Sequence, residues 1–311
     1  MPTPIQRTIG GFNIEKQTQM GEPGGSLYYV KQTVDGYTDR QAVGIEARYF
    51  NSNLSGFSTY DYDLTFKQRN IFMVQGNYRM EDGTNFHVLG DLRKAPFLQL
   101  TNVLPAVPSP LPDLRPALTV TDALINSGVS LSDLRLMARA VTAESRLTNV
   151  GVTRPFGEKF QVGFDANWSS ISGMDGAGFI PAQAGSGTTV SYNLSLVGSN
   201  WMVQNNFDVL NINQVAAPTY HGQNISFNHN AMFNDMKFRL DFGYRIYRQN
   251  DVSGGLLKRD SPTVRFSYRV LKNVSIEGEF GAEKSHQVDG TGVQVDSRRA
   301  YFYVGYRWDF Q

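Results

Sequence analysis

The chain contains no cysteine and no long apolar run, and these two absences exclude several classes of protein. Without cysteine, neither a disulfide nor a thiolate metal site can form. A membrane-spanning helix needs about 20 consecutive apolar residues, and no such stretch is present. The uncharged stretch of residues 95–112 contains five prolines, which would break a helix. If this protein crosses a membrane, it must do so as a closed β-barrel, because an open sheet leaves backbone groups unpaired in lipid.

Charged residues are also few, at 18% of the 311 residues, and they almost cancel to a net charge of +1. This balance gives no overall attraction to nucleic acid, and no nucleic-acid partner is predicted. The N-terminal residues lack the basic start and apolar run of a signal peptide. We therefore expect the sequence to represent a mature protein or a C-terminal piece of a longer chain. No cofactor is predicted.

What the chain does contain is a repeated alternation of apolar and polar residues, which is typical of β-strands. In residues 300–311, aromatic and aliphatic side chains occupy the even positions, while Tyr303, Arg307 and Asp309 occupy odd ones. The segment Met236–Arg248 repeats this division in its clearest form. Recurrence of the pattern between turns is the signature of a transmembrane β-barrel, with the apolar face toward lipid and the polar face toward the lumen.

The pattern predicts an all-β fold, an antiparallel up-and-down transmembrane β-barrel. We count fourteen strands without a candidate around Phe12–Glu15, and fifteen with it. Because single-chain bacterial barrels have an even number of strands, we predict fourteen, with sixteen as the alternative. Residues 1–25 are then a periplasmic linker or an N-terminal strand, and residues 26–311 form the barrel.

An insertion of roughly fifty residues, 94–141, interrupts the alternation with prolines and two short helices. We expect Thr121 to cap the first helix, and Ser130 with Asp133 to form a capping box at the second. The insertion either plugs the lumen or forms an external loop. Arg135 and Arg139 are expected to meet inward carboxylates such as Glu277, Glu279 or Asp165. The predicted gate residues are Leu134, Arg135, Met137 and Arg139.

The alternation assigns most of the remaining candidate residues to one of two faces. Inward tyrosines (Tyr29, Tyr247, Tyr301, Tyr303) have rings that can stack on sugars. The predicted lumen-lining residues are Lys237, Arg239, Asp241, Arg245, Arg265, Arg269, Glu277, Glu279, Glu283, Tyr303 and Arg307. The predicted lipid-facing residues are Phe238, Leu240, Phe242, Phe266, Val304, Tyr306, Trp308 and Phe310. The charged set can orient a solute in the lumen, or it can simply form ion pairs between neighbouring strands.

The repeated dyads and the terminal run Tyr306-Arg307-Trp308-Asp309-Phe310 resemble those of bacterial outer-membrane β-barrels. The resemblance implies a location in the bacterial outer membrane, contact with membrane lipid and lipopolysaccharide, and insertion by the barrel-assembly machinery. The insertion and the closing barrel also resemble the C-terminal domain of polysaccharide exporters that have periplasmic helical repeats. That second resemblance implies a helical-repeat domain or an inner-membrane complex as a partner.

No catalytic constellation stands out in the sequence. The four histidines are dispersed, and no metal site is predicted; His286 follows a serine that lacks the Gly-x-Ser-x-Gly context of a nucleophile. We therefore predict no catalytic residues and no enzyme. Two functions remain: a pore or exporter that passes a polar solute, such as a polysaccharide, through a charged lumen gated by the insertion; or an anchoring barrel with a closed lumen that docks a partner protein.

Overall fold

The structure is a computed structural model that describes residues 6–107, 119–126 and 128–309, and all statements below refer to these residues. It contains one antiparallel sheet in which each strand neighbours the next strand of the chain. The predicted all-β, antiparallel, up-and-down class is therefore confirmed. The strands are β1 (Arg7–Lys16), β2 (Gly24–Val34), β3 (Tyr37–Phe50), β4 (Leu54–Asp63), β5 (Gln68–Arg79), β6 (Asn85–Ala95), β7 (Ala143–Phe156), β8 (Phe160–Ile171), β9 (Gly187–Ser199), β10 (Asn206–Ala216), β11 (Tyr220–Phe233), β12 (Phe238–Asp251), β13 (Leu256–Leu271), β14 (Val274–Val288) and β15 (Gln294–Trp308).

The number of strands differs from the prediction. The sheet has fifteen strands, from β1 to β15, rather than the fourteen of a closed barrel or the alternative sixteen. The additional strand is β1, which the sequence marked only weakly because Gly10 and Gly11 interrupt its alternation. In the structure β1 pairs with β2 along its whole length, and Phe12 stacks on Tyr29 with ring centroids 5.7 Å apart. Residues 7–16 are thus a strand and not a linker.

This pairing also corrects the orientation of one tyrosine. Tyr29 lies directly opposite Val43 on β3, and directly opposite Phe12 on β1. Residues that face each other across a strand pair lie on the same side of the sheet, so Tyr29 is on the apolar face. The prediction that Tyr29 points inward was wrong. Its neighbour Tyr28 is on the polar face, where its hydroxyl donates to Asp61 at 2.7 Å.

Three short helical segments occupy the insertion between β6 and β7. They are a 3-10 helix (Leu100–Ala106), α1 (Val120–Asn126) and α2 (Leu131–Ala140). The predicted capping box of α2 is confirmed, since the side chains of Ser130 and Asp133 each accept from the other's backbone amide. The predicted cap of α1 was wrong. Thr119 rather than Thr121 accepts from the amide of Asp122, and the helix begins at Val120.

The chain divides into two compact units, and the first contains residues 1–79, 87–150 and 168–188. In this unit the insertion has an apolar core of its own, in which Leu134 and Ala138 of α2 are fully buried. The insertion core also includes Val34 of the β2–β3 hairpin, Phe66 of the β4–β5 turn and, more peripherally, Ile180 of the 172–186 loop. Burial of these side chains explains why the insertion is compact.

The second unit contains residues 80–86, 151–167 and 189–311. Across β12 to β15 its apolar residues form successive rows of directly paired side chains. One row is Leu240, Phe266, Gly278 and Val304; the next along the strands is Phe242, Val264, Phe280 and Phe302. Large side chains of these rows remain accessible, up to 71% for Phe302, as expected for a face that contacts lipid. No helix within the described residues is long and apolar enough to span a membrane.

Candidate functional site

The polar face of the second unit carries a charged row at the same level as the apolar rows. Asp241 on β12 lies opposite Arg265 on β13, which in turn lies opposite Glu279 on β14. Glu279 lies opposite Tyr303 on β15. Because side chains alternate between the two faces along each strand, Asp241, Arg265 and Glu279 all lie on the polar face.

Most of the charges on this face form cross-strand or same-strand pairs. Arg265 Nη2 and Nε both donate to Glu279 Oε2, at 2.7 and 2.9 Å. Glu279 Oε1 accepts from the Tyr301 hydroxyl at 2.5 Å. Arg239 Nε lies 3.0 Å from an Asp241 oxygen. Ion pairing, the alternative role that the sequence suggested for the predicted lumen-lining charges, therefore accounts for many of these residues.

Two further pairs extend this pattern. Arg307 contacts Glu277 at 3.3 Å, and Arg259 contacts Glu283 at 3.5 Å. Every predicted lumen-lining carboxylate thus has a basic partner. Three predicted cations differ, because Lys237, Arg245 and Arg269 have no ion-pair partner in the part of the chain that the structure describes. The uncompensated charge among the predicted residues is positive.

The structure brings eight of the eleven predicted lumen-lining residues around one cleft on this face. They are Lys237, Arg239, Asp241, Arg265, Arg269, Glu277, Glu279 and Arg307. Lys237 lies in the turn before β12 rather than in the strand. Arg245 and Glu283 lie further along β12 and β14. Tyr303 folds over Gly305, where a Cβ atom would lie 2.0 Å from the tyrosine hydroxyl.

The predicted lipid-facing residues share the opposite face. Leu240 pairs with Phe266, Phe238 pairs with Tyr268, and Val304 pairs with Gly278. Phe242 pairs with Val264 in the next row. Tyr306 and Trp308 lie opposite Ile276 and Val274. Phe310 lies outside the described residues.

Phe207 and Val209 of β10 do not follow the pattern of their neighbours. They lie opposite Asn230 and Asn228 of β11, and both are therefore on the polar face. The intervening residue Asp208 is on the apolar face, where it contacts His229 Nδ1 at 2.5 Å and accepts from the Trp201 indole at 2.6 Å. Within the described residues, no three carboxylate or imidazole side chains converge in a way that would hold a metal ion.

The insertion is held by side chains that the sequence analysis did not identify. Asp39 Oδ1 accepts from the amide of Thr101 at 2.8 Å, and its Oδ2 accepts from Gln32 at 2.5 Å. Asp39 is fully buried at an irregularity in the β2–β3 register. The sequence signal that could have revealed it is a carboxylate inside a strand pattern, since such a group is rarely buried without partners.

Two other polar side chains act in the same way. Asp35, in the β2–β3 turn, accepts from the amide of Val120 at 3.2 Å. Asn70, on β5, accepts from the amide of Leu98 at 3.2 Å. Together with Asp39, these side chains form a set of acceptors at one end of the sheet, hereafter the insertion latch. Each satisfies a backbone donor of the insertion that would otherwise be unpaired.

The gate residues lie within the first unit. Arg139 donates to the carbonyl oxygen of Phe66, and its predicted contact with Glu277, Glu279 or Asp165 stays a prediction. Arg135 is half-buried, and its Nε has no hydrogen-bond partner within the described residues. Leu134 is fully buried and Met137 packs against the insertion core. The two arginines therefore belong to the insertion's own packing, which the short-range helical pattern could not reveal.

Comparison with known proteins gives structural matches only. No protein-family model matches the chain. No curated protein matches it either. Two structures of OmpT, an outer-membrane protein of Vibrio cholerae, are similar to 98% of this chain. The in-vitro folded form has 11% identity and a TM-score of 0.37 over 95% of its length, and the outer-membrane expressed form has 10% identity and a TM-score of 0.42 over 96%.

A loop-deletion mutant of the same protein matches 98% of this chain at 10% identity, with a TM-score of 0.36 over 97% of its own length. All three matches are outer-membrane proteins. The exposed apolar rows of the sheet agree with the predicted location in the bacterial outer membrane. The prediction that the protein is not an enzyme does not stand, because it rested only on the absence of a recognisable catalytic constellation in the sequence.

Proposed function

We propose that the protein is an outer-membrane pore for a polar solute, and that the charged face of β12 to β15 lines the aqueous path. The observation that carries this proposal is the uncompensated positive charge of Lys237, Arg245 and Arg269. In water-filled barrels, rings of basic side chains favour anions. The solute we infer is therefore a small anion or a polar molecule with an anionic group.

The paired residues support the same path. Arg265 and Glu279 hold each other in fixed positions, as do Arg307 and Glu277. Opposed charges on neighbouring strands keep the wall polar and hydrated while leaving no buried charge unpaired. Such a wall orients a passing dipole and does not trap it. A polysaccharide has no specific support among these contacts, and we do not extend the proposal to it.

The insertion is proposed as the element that restricts this path. Its core buries Leu134 fully, and the insertion latch ties its backbone to the sheet. A segment fixed in this way narrows a pore by occupying space, and it does not need to move for small solutes to pass. Its arginines contribute to its packing and not to solute contact.

An alternative function is an anchoring barrel with a closed path. The same latch favours it, because a fully packed insertion closes an opening as readily as it narrows one. Under this alternative a partner protein binds outside the membrane, and the charged face serves only to stabilise the sheet.

The experiment that separates the two functions is conductance in planar bilayers. We expect the purified protein to form channels with anion selectivity, and Lys237→Gln with Arg269→Gln to move the reversal potential toward cation selectivity. Lys31→Gln is the matched control, since Lys31 is exposed on the opposite face of another strand. A protein that is folded but never conducts, even after residues 97–141 are replaced by a short Gly-Ser link, would exclude the pore.

A further inference from the structure

We propose that the cleft on the polar face of β12 to β15 binds the phosphate group of the solute between Lys237, Arg269 and the hydroxyl of Ser275. Because its ligand is the solute of the proposed pore, the site rests on the proposed function and narrows the solute from any small anion to phosphate and its monoesters. Lys237 and Arg269 both line the cleft, and neither has an ion-pair partner in the part of the chain that the structure describes.

The two free cations are neighbours in one row of side chains at the turn end of this face. The amide of Arg269 donates to the carbonyl oxygen of Lys237 at 2.8 Å, so the two residues lie side by side. Arg269 lies opposite Ser275 on β14, which in turn lies opposite Arg307 on β15. Like charges that face each other across a strand pair destabilise it. An anion bound between Lys237 and Arg269 would remove this repulsion.

Ser275 is the neutral donor of the site. It lies in the row between Arg269 and Arg307, whose side chains are exposed, while Ser275 itself is only 7% exposed at the base of the cleft. Its hydroxyl makes no hydrogen bond to another group among the described residues. A serine hydroxyl can donate to a phosphate oxygen, so an anion held by the two cations would also satisfy this group.

The charge of the cleft matches a dianion. Five basic and three acidic side chains line it, so two positive charges are in excess. Arg307 contacts both Glu277 and Asp309 at 3.3 Å, and is therefore not a free cation. A phosphate monoester carries about −1.5 to −2 charges at neutral pH, whereas chloride or a single carboxylate would leave one cation unpaired. Lysine binds phosphate as a point charge, and the planar guanidinium of arginine binds two phosphate oxygens at once.

The size of the cleft favours a phosphate that carries an organic group. The cleft has a volume of about 650 Å³, which is more than a phosphate group alone fills. Met232 and Met236 also line it, and the flexible thioether side chain of methionine gives adaptable apolar contact. A small phosphate monoester uses both the cations and this apolar lining. Inorganic phosphate is the other source of the same chemistry.

The test measures binding separately from conduction. Titration calorimetry of the detergent-solubilised protein gives the dissociation constants of glycerol phosphate and of inorganic phosphate. Arg269→Gln should weaken glycerol phosphate binding by about tenfold or more, because it removes a charge-assisted hydrogen-bond donor. Ser275→Ala should weaken it severalfold although it removes no charge, a result that general electrostatic attraction would not give.

Arg299→Gln is the matched control. Arg299 is exposed on the same polar face, has no ion-pair partner among the described residues, and lies eight residues along β15 from Arg307. That separation is roughly 27 Å before tilt, well beyond the distance over which salt screens exposed charges. Its substitution should leave the dissociation constant of glycerol phosphate unchanged.

Heat-modifiability first shows that each variant is folded. Weaker binding in Arg269→Gln and Ser275→Ala, with wild-type affinity in Arg299→Gln, supports the site, and equal affinity for inorganic phosphate assigns it to the phosphate group alone. Equal dissociation constants in Arg269→Gln and Arg299→Gln would overturn it. A wild-type protein that conducts anions but binds neither phosphate would overturn the site and leave the pore. Binding without any conduction would overturn the pore and leave the site.

Discussion

Arg265 and Glu279 lie directly opposite each other on adjacent strands, and two guanidinium nitrogens of Arg265 share one carboxylate oxygen at 2.7 and 2.9 Å. The second oxygen of Glu279 is taken by the hydroxyl of Tyr301. Glu279 is therefore the point at which three neighbouring strands, through Arg265, Glu279 and Tyr301, are joined on the polar face. Its removal should change the charge of this face more than its fold.

The first prediction concerns Glu279→Gln. The amide keeps the shape of the side chain, but it leaves Arg265 without a counter-charge and so adds to the uncompensated positive charge of the polar face. We expect anion selectivity to increase, as measured by the reversal potential in a salt gradient. The charge exchange Arg265→Glu with Glu279→Arg should restore the original selectivity. An unchanged reversal potential in Glu279→Gln would show that the pair does not border the conducting path.

A second prediction tests the assignment of the two faces. Leu240→Arg places a charge in the apolar rows and should lower the free energy of unfolding by roughly 2–4 kcal/mol. Ile246 lies on the same face directly opposite Asp260, beyond the apolar rows, so Ile246→Arg should lower it by only about 0–1 kcal/mol. Denaturant unfolding in lipid vesicles measures both values. If spin labels at 240 reported water while those at 241 reported lipid, the register of β12 would be wrong by one residue.

The third prediction addresses the insertion core. Leu134 is fully buried, so Leu134→Ala should destabilise the insertion by roughly 2–5 kcal/mol through lost packing and a residual cavity. The matched control is Leu136→Ala, because Leu136 lies on the same helix and is 59% exposed. We expect faster proteolysis and amide exchange in residues 119–142 of the first variant only. A Leu134→Ala protein as resistant as the control would contradict the packing described for α2.

The fourth prediction concerns the turn between β14 and β15. The hydroxyl of Thr291, and then the amide of Val293, donate to Asp289 and hold the pKa of its carboxyl below the usual range. A depressed pKa means that the stabilising effect is present above the ordinary aspartate pKa of about 3.9, and is lost as the pH falls through the lower folded value. Thr291→Val removes the largest contribution and should raise the pKa.

Carboxyl carbon chemical shifts across a pH titration measure the pKa of Asp289 in both proteins. The turn should stay ordered in the wild type to a lower pH than in Thr291→Val. An identical midpoint in the two proteins would mean that the Thr291 hydroxyl does not hold the carboxylate.

The faces of the long strands could be predicted from the sequence, because the two-residue period is a local property. Leu240 and Arg239 are assigned to opposite faces by their positions alone, and the strand pairs place them there. The pattern fails where a strand departs from regular pairing or where a polar residue lies on the apolar face. At Asp208 a single carboxylate reverses the apparent alternation of β10, because the Trp201 indole and His229 satisfy it there.

The contacts of the insertion could not be predicted for a different reason. Asp39 and Thr101 are 62 residues apart in the chain, and Asp35 and Val120 are 85 apart. No periodic signal links such positions. Ser130 and Asp133 are only three positions apart, so their capping box could be predicted from the sequence. The partner of Arg139 is a backbone carbonyl, a group that every residue has, so no residue type in the sequence indicates it.

The insertion latch has a consequence for the order of assembly. Every strand pairs with its neighbour in the chain, so hairpins such as β2–β3 close short loops and can form early. The insertion core needs the β2–β3 hairpin, the β4–β5 turn and the 172–186 loop to be present together. We therefore expect the described parts of the insertion, residues 96–107, 119–126 and 128–142, to become ordered last, after the surrounding strands have paired. A pulse of hydrogen exchange during refolding into vesicles would then label this segment longest.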